Sequence, residues 1–253
     1  MSQLEIVKNR IIDVVPARIE QATAPQAITK FAWTTLPVTV IEEVQLPDPP
    51  DRRLVALRAP DSPYAHSYRL LRHRLLAQGD PRIIAVTSAA AGDGKTTCAA
   101  NLALVLSEET LSRVLLVEGN LVRPGLPDLF GFDPADSFMT KLLRSEDATP
   151  PHAVASVSRI RLQLAAVHPE LARGKRIDRA LLAEAVRELR GSYDYVVFDA
   201  AAVSDGADVN SICACCDATL LVARSGRSRK RQILSAVEQL QPAVVAGLVL
   251  IDT

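Results

Sequence analysis

Between residues 82 and 251 the apolar residues gather into short continuous runs rather than strict alternation. The runs fall at 83–87, 114–117, 160–165, 195–198, 219–223 and 244–251, and they are rich in Val, Ile and Leu. Such runs predict strands covered on both faces, as in a parallel sheet. Segments of helical period lie between most of them. One helix is expected to open at Ser62-Pro63 and to carry Tyr68, Leu71 and Leu75 on one side; another is expected over 178–190, closed by Gly191 as a left-handed cap. The alternation predicts an α/β chain: a doubly wound, mostly parallel sheet flanked by helices, with its ligand at the carboxyl ends of the strands.

The first 60 residues read differently. They hold seven of the sixteen prolines and no glycine, and Leu46-Pro-Asp-Pro-Pro-Asp should be extended and poorly packed. Within them Leu4, Val7, Ile11 and Val14 or Val15 recur at helical spacing, which suggests a short amphipathic helix. The expected division is a Pro-rich N-terminal tail or linker over 1–60 and one domain over 61–253. A chain of 253 residues is long enough for one sizeable core.

Charge and composition then narrow the partners. Lys+Arg and Asp+Glu are both 29, so no basic field marks nucleic acid as the main partner. The N-terminus lacks a charged-then-apolar leader pattern, and no apolar run approaches 18 residues, so a cytoplasmic location is expected. Three of the four cysteines crowd into Cys213-Ala-Cys215-Cys216 without a further cysteine pair or histidine at ligand spacing, so they read as small buried side chains.

The candidate chemistry begins at residues 82–97, where a strand runs into Ala-Ala-Ala-Gly-Asp-Gly and then Lys95-Thr96-Thr97 at the head of a helix. Backbone N–H groups of Ala91, Gly92, Asp93 and Gly94, the helix N-terminus, and the Lys95 ammonium would converge on an anion. Thr96 is placed to hold Mg²⁺ on a bound nucleotide, with Thr97 beside it. Ala89 stands where the phosphate-loop pattern usually has its first glycine. Two further strand ends should meet this loop. Asp199 ends the strand Tyr195-Val-Val-Phe, and Glu118 and Asn120 end the strand Val114-Leu-Leu-Val, ahead of Arg123-Pro124. Asp199 and Glu118 join Thr96 as the expected metal ligands, and ATP with Mg²⁺ is the expected ligand pair.

Three blocks occur together: Ser67-Tyr68-Arg69-x-x-Arg72, the loop Ala-Gly-Asp-Gly-Lys-Thr-Thr, and a strand-terminal acid followed by Arg-Pro. Over about residues 60–253 this combination resembles the bacterial tyrosine kinases, cytoplasmic ATPase domains within the wider MinD/ParA-like group. The resemblance implies a role in exopolysaccharide or capsule export, a membrane polysaccharide co-polymerase of the Wzz-like kind as partner, and recruitment to the inner membrane. It also implies that Lys95, Glu118, Asn120 and Asp199 act in catalysis, that Arg123 lies at the nucleotide, and that the helix carrying Arg69 and Arg72 joins copies of the chain.

The departures from that family are chemical. Glu118 and Asn120 stand where two aspartates are usual, and an amide cannot take a proton from an attacking hydroxyl. Ala200-Ala201-Ala202 replaces Thr-Pro-Pro, His66 replaces the first glutamate of the subunit-contact motif, and Ile251 replaces an adenine-reading asparagine. No tyrosine cluster follows the last strand, and Tyr64 is the tyrosine expected to be exposed. These changes predict intact nucleotide binding with slow turnover. Two alternatives stand beside this reading: a catalytically impaired interaction module, and a partitioning ATPase similar to ParA or MinD, for which the basic cluster Arg224, Arg227, Arg229, Lys230 and Arg231 is the best argument.

Overall fold

The computed structural model describes residues 38–109, 112–144, 152–206 and 208–252. Its strands are β1 (Val38–Val44), β2 (Ile83–Ser88), β3 (Val114–Gly119), β4 (His152–Val157), β5 (Leu162–Ala165), β6 (Tyr195–Ala200), β7 (Ala218–Arg224) and β8 (Val245–Ile251). The helices are α1 (Val55–Arg58), α2 (Pro63–Ala77), α3 (Lys95–Ser107), α4 (Leu126–Phe130), α5 (Phe138–Arg144), α6 (Pro169–Ala172), α7 (Arg179–Ser192), α8 (Asp208–Ala214) and α9 (Lys230–Gln239).

The strands form one sheet in the order β1-β4-β5-β3-β6-β2-β7-β8, with every pair parallel except β4–β5. The expected doubly wound, mostly parallel architecture is therefore present. Alternate residues of the central strands feed two cores. Ile84, Val86, Leu116, Val197 and Leu220 face α2 and α3; Ile83, Ala85, Leu115, Val117, Val196 and Phe198 face α7 and α8. This is why β2, β3 and β6 read as unbroken apolar runs: neither face meets water.

Three details differ from the sequence reading. Residues 38–60 belong to the domain. β1 pairs with β4, Leu54 is fully buried, and Pro47 packs on Gly131 so closely that an added Cβ would lie 2.6 Å from its Cγ. Asn101 on α3 fastens this segment. Its Oδ1 accepts from Ala56 N–H at 3.0 Å, and its Nδ2 donates to Arg53 O at 2.7 Å. Proline content signalled an extended path here, but an extended path can still be packed. The Gly191 cap is also corrected, since Gly191 lies inside α7 and the helix closes through Tyr193 N–H to Leu189 O at 3.0 Å, with Tyr193 extended. The start of α7 is as expected, Asp178 accepting from Ala180 and Leu181 N–H. The third detail is that two strands, β1 and β4, escaped the pattern. The suggested helix over Leu4–Val14 lies outside the described residues.

Replacing Asn101 with Ala should strand the buried Ala56 N–H and the part-buried Arg53 C=O. We expect a loss of about 2–3 kcal/mol in urea unfolding, with protease sensitivity rising first around residues 45–60. Unchanged stability would show that the segment is held by something other than this amide.

Candidate nucleotide site

β2 lies inside the sheet between β6 and β7, and the loop from Ala89 to Gly94 leads from its carboxyl end into α3. Gly92 and Gly94 take φ of +85° and +96°, the left-handed region that favours glycine. At Gly94 space is short as well, since an added Cβ would sit 2.6 Å from Ile251 Cδ1. Ser88 Oγ donates to Ala90 O at 2.7 Å, and Thr87 Oγ1 donates to Ala201 O at 2.6 Å, fixing the strand end. Lys95 begins α3 and is only 7% exposed, an ammonium held largely out of water.

The neighbouring strands deliver the carboxylates. Glu118 on β3 and Asp199 on β6 are direct register partners, and Asp199 also stands opposite Val86 of β2. Both side chains are fully buried. Glu118 Oε2 accepts from Gly125 N–H at 2.8 Å and Leu126 N–H at 2.9 Å, while its Oε1 and both oxygens of Asp199 have no well-formed hydrogen bond. Burial raises the pKa of Glu118 well above the usual carboxylate range, and the neighbouring Asp199 raises it further; backbone N–H groups of 120, 125 and 126 oppose the shift. Burial likewise pushes Asp199 up to about 6, against the pull of Lys95 and Thr96. Two carboxyls so placed, with open oxygens and mutual repulsion, fit a divalent cation. Thr96 belongs to the same group: Gly125, held by Glu118, would meet Thr96 Cγ2 at 3.3 Å if it carried a Cβ.

The structure thus brings together Lys95, Thr96, Glu118 and Asp199 beside Gly92 and Gly94. Ala91 and Thr97 flank them in the same turn. Asp93 lies within it too, 1% exposed, with neither carboxylate oxygen partnered. Asn120 is used differently from the expectation. Its Nδ2 donates to Arg123 O at 2.8 Å and its Oδ1 accepts from Arg123 N–H at 3.3 Å, so the amide brackets its own loop. The exposed Arg123 side chain lines a separate cavity of about 580 Å³ with Arg173, Lys175 and Arg176, and no phosphate-loop residue borders it. Sequence reasoning missed that Arg224 and Arg227 reach the loop. The signal available was that β7 pairs with β2, which sets the two strand-end loops side by side.

No protein-family model matches the chain. Curated relatives do. The succinoglycan biosynthesis transport protein ExoP of Rhizobium meliloti is 27% identical over 208 residues, covering 79% of this chain but only 26% of its own length. The tyrosine-protein kinase YwqD of Bacillus subtilis is 28% identical over 198 residues, 75% of this chain and 80% of that one. The chain is similar to the bacterial tyrosine kinases. Among solved structures, the chimerical protein CapA2B2 superposes with a TM-score of 0.68 at 23% identity, covering 85% of this chain and 94% of that one, and so shares the fold. MinD of Pyrococcus horikoshii, solved with Mg-ADP, superposes at 0.53 and 27% identity over 67% of each chain. The wider phosphate-loop ATPase fold is common to both. Among the described residues, no helix is long and apolar enough to cross a membrane.

Exchanging Glu118 for Gln and for Ala separates its two jobs. Glu118→Gln keeps an oxygen for Gly125 and Leu126 and should fold with near-normal stability, yet lose metal-dependent stabilisation in a thermal-shift titration. Glu118→Ala should also destabilise by about 1–3 kcal/mol, because two buried N–H groups lose their acceptor. Equal metal response in Glu118→Gln and the parent chain would remove Glu118 from the cation site.

Proposed function

We propose that this chain is an ATP-binding protein similar to the bacterial tyrosine kinases, acting in exopolysaccharide or capsule biosynthesis and export with slow nucleotide turnover. The observation that carries the reading is the register pairing of Glu118 with Asp199 beside Lys95 and Thr96, because it sets open carboxylate oxygens next to a cationic phosphate loop. Thr96, Asp199 and Glu118 Oε1 would hold Mg²⁺, which neutralises charge between the β- and γ-phosphates of a bound nucleotide. Lys95 and the loop N–H groups would hold the phosphate chain.

What these side chains lack is a free base at position 120. The Asn120 amide has no proton-accepting power and is engaged with Arg123 at both ends. Absence of a positioned base costs roughly 10²–10⁴-fold in rate. This favours, as a second reading, a nucleotide-binding interaction module in which ATP stabilises a docking surface and is hardly consumed. The name of ExoP, a succinoglycan biosynthesis transport protein, supports the polysaccharide-export part of this reading; a membrane polysaccharide co-polymerase as the partner, with this domain recruited to the membrane's inner face, belongs to the same proposal. Assembly through the α2 arginines would require a rearrangement. Arg69 is held by Glu108, Nη2 to Oε1 at 2.6 Å, and Arg72 by Glu109 at 3.2 Å and by Val105 O, all within one chain. His66 Nδ1 meets the O of Ser62, the residue that caps the same helix, at 2.8 Å. A ParA- or MinD-like partitioning role draws on the shared fold and on a basic cluster reduced to Arg229, Lys230 and Arg231, since Arg224 and Arg227 are turned onto the phosphate loop.

Calorimetric titration with Mg·ATP should show one site per chain, and Lys95→Ala should abolish it; binding that survives in Lys95→Ala would contradict the site. Asn120→Asp should raise phosphate release by about tenfold or more if the missing base limits turnover. No rise would favour the interaction module over the slow enzyme.

A further inference from the structure

The members of the basic cluster after β7 separate in the structure. Arg229, Lys230 and Arg231 are exposed at the start of α9. Arg224 and Arg227 turn instead across the phosphate loop. Arg224 Nη1 donates to Gly92 O at 3.4 Å, and Arg227 Nη2 donates to Ala91 O at 3.2 Å. The Arg227 guanidinium lies so close to Gly92 that an added Cβ would be 2.9 Å from Nη2 and 3.0 Å from Nη1. The segment carrying both arginines is itself tied down. Arg224 N–H donates to Ser228 Oγ at 2.8 Å, and Ser225 N–H donates to Ile251 O at 2.8 Å.

These contacts have a directional consequence. Across a trans peptide the C=O of one residue and the N–H of the next point in opposite directions. Holding the carbonyls of Ala91 and Gly92 toward the guanidinium groups turns the N–H groups of Gly92 and Asp93 to the far side of the loop. A phosphate cradle needs such N–H groups aligned on one side. Gly92, with its positive φ and no side chain, supplies little resistance to a peptide flip by itself. The backing therefore comes from the β7–α9 segment.

We propose that Arg224 and Arg227 are positioning residues, which hold the peptide planes of the phosphate loop in the orientation that accepts a phosphate chain. This rests on the nucleotide reading above, and it differs from a direct contact with the terminal phosphate. Backing the loop strengthens its hold on any phosphate chain, whereas a terminal contact serves ATP alone.

The test compares the full chain with the double variant Arg224→Ala/Arg227→Ala and with Arg224→Lys/Arg227→Lys. Mg·ATP and Mg·ADP are each titrated calorimetrically, and backbone ¹⁵N relaxation of Gly92 and Asp93 is measured without nucleotide. The alanine pair should weaken both nucleotides by the same factor, about tenfold for two lost hydrogen bonds that are solvent-exposed. Its Gly92 and Asp93 order parameters should fall from about 0.85 toward 0.6, with the melting temperature little changed because Arg227 is exposed and Arg224 only half-buried. The lysine pair, still able to donate, should recover part of the affinity. Unchanged affinity and order parameters would overturn the proposal, as would a loss confined to ATP. Absence of nucleotide binding by the parent chain would instead defeat the nucleotide reading, while the relaxation data would still judge the positioning role.

Discussion

Two carboxyls side by side at the dry centre of a sheet are the constraint on which this molecule turns. Glu118 and Asp199 are brought into register by β3 and β6, and burial together with their mutual repulsion disfavours the charged pair. Hydrophobic strands alone would be more stable with aliphatic residues at these positions. The arrangement is reasonable when positive charge completes it, and among the described residues Lys95 supplies part of that charge. The rest of the fold serves this point: the strand order sets β2, β3 and β6 together, α3 begins where β2 ends, and the loop after β3 is folded back on the Glu118 carboxylate.

The loop after β3 also explains why substitutions relative to the bacterial tyrosine kinases need not be read as decay of the site. Glu118 spans the extra methylene by giving one oxygen to Gly125 and Leu126 while leaving the other open. Asn120 exchanges a charge for a donor, which it spends on Arg123 O. An aspartate there would leave that carbonyl without its partner and add a third acid near two already crowded ones. The loop is therefore internally consistent, and under the proposed nucleotide reading its cost falls on the proton transfer that turnover would require.

Much of this was readable from residues alone, and the exceptions have physical causes. The central strands announced themselves because burial on both faces demands unbroken Val, Ile and Leu. β1 did not, because an edge strand with exposed Val40 and Ile41 and two glutamates has neither an apolar run nor clean alternation. The packing of Leu54 was hidden by neighbouring prolines, which report backbone direction and not burial. At the site, Gly92 to Thr97, Glu118 and Asp199 were visible because strand-end chemistry is local in sequence. Arg224 and Arg227 were visible only as charge, since their partners lie more than 130 positions away and depend on which strand neighbours β2. The cavity that Arg123 lines was hidden for a related reason: sequence gives the loop but not the direction of a long exposed side chain.

The central claim is that a divalent cation completes the Glu118–Asp199 pair when nucleotide occupies the adjoining loop. Electron paramagnetic resonance titration with Mn²⁺, in the presence and absence of ADP, addresses it most directly. The account predicts one tightly held Mn²⁺ per chain that requires nucleotide and is lost in Asp199→Asn. A free Mn²⁺ spectrum at saturating nucleotide, or binding indifferent to Asp199, would contradict it.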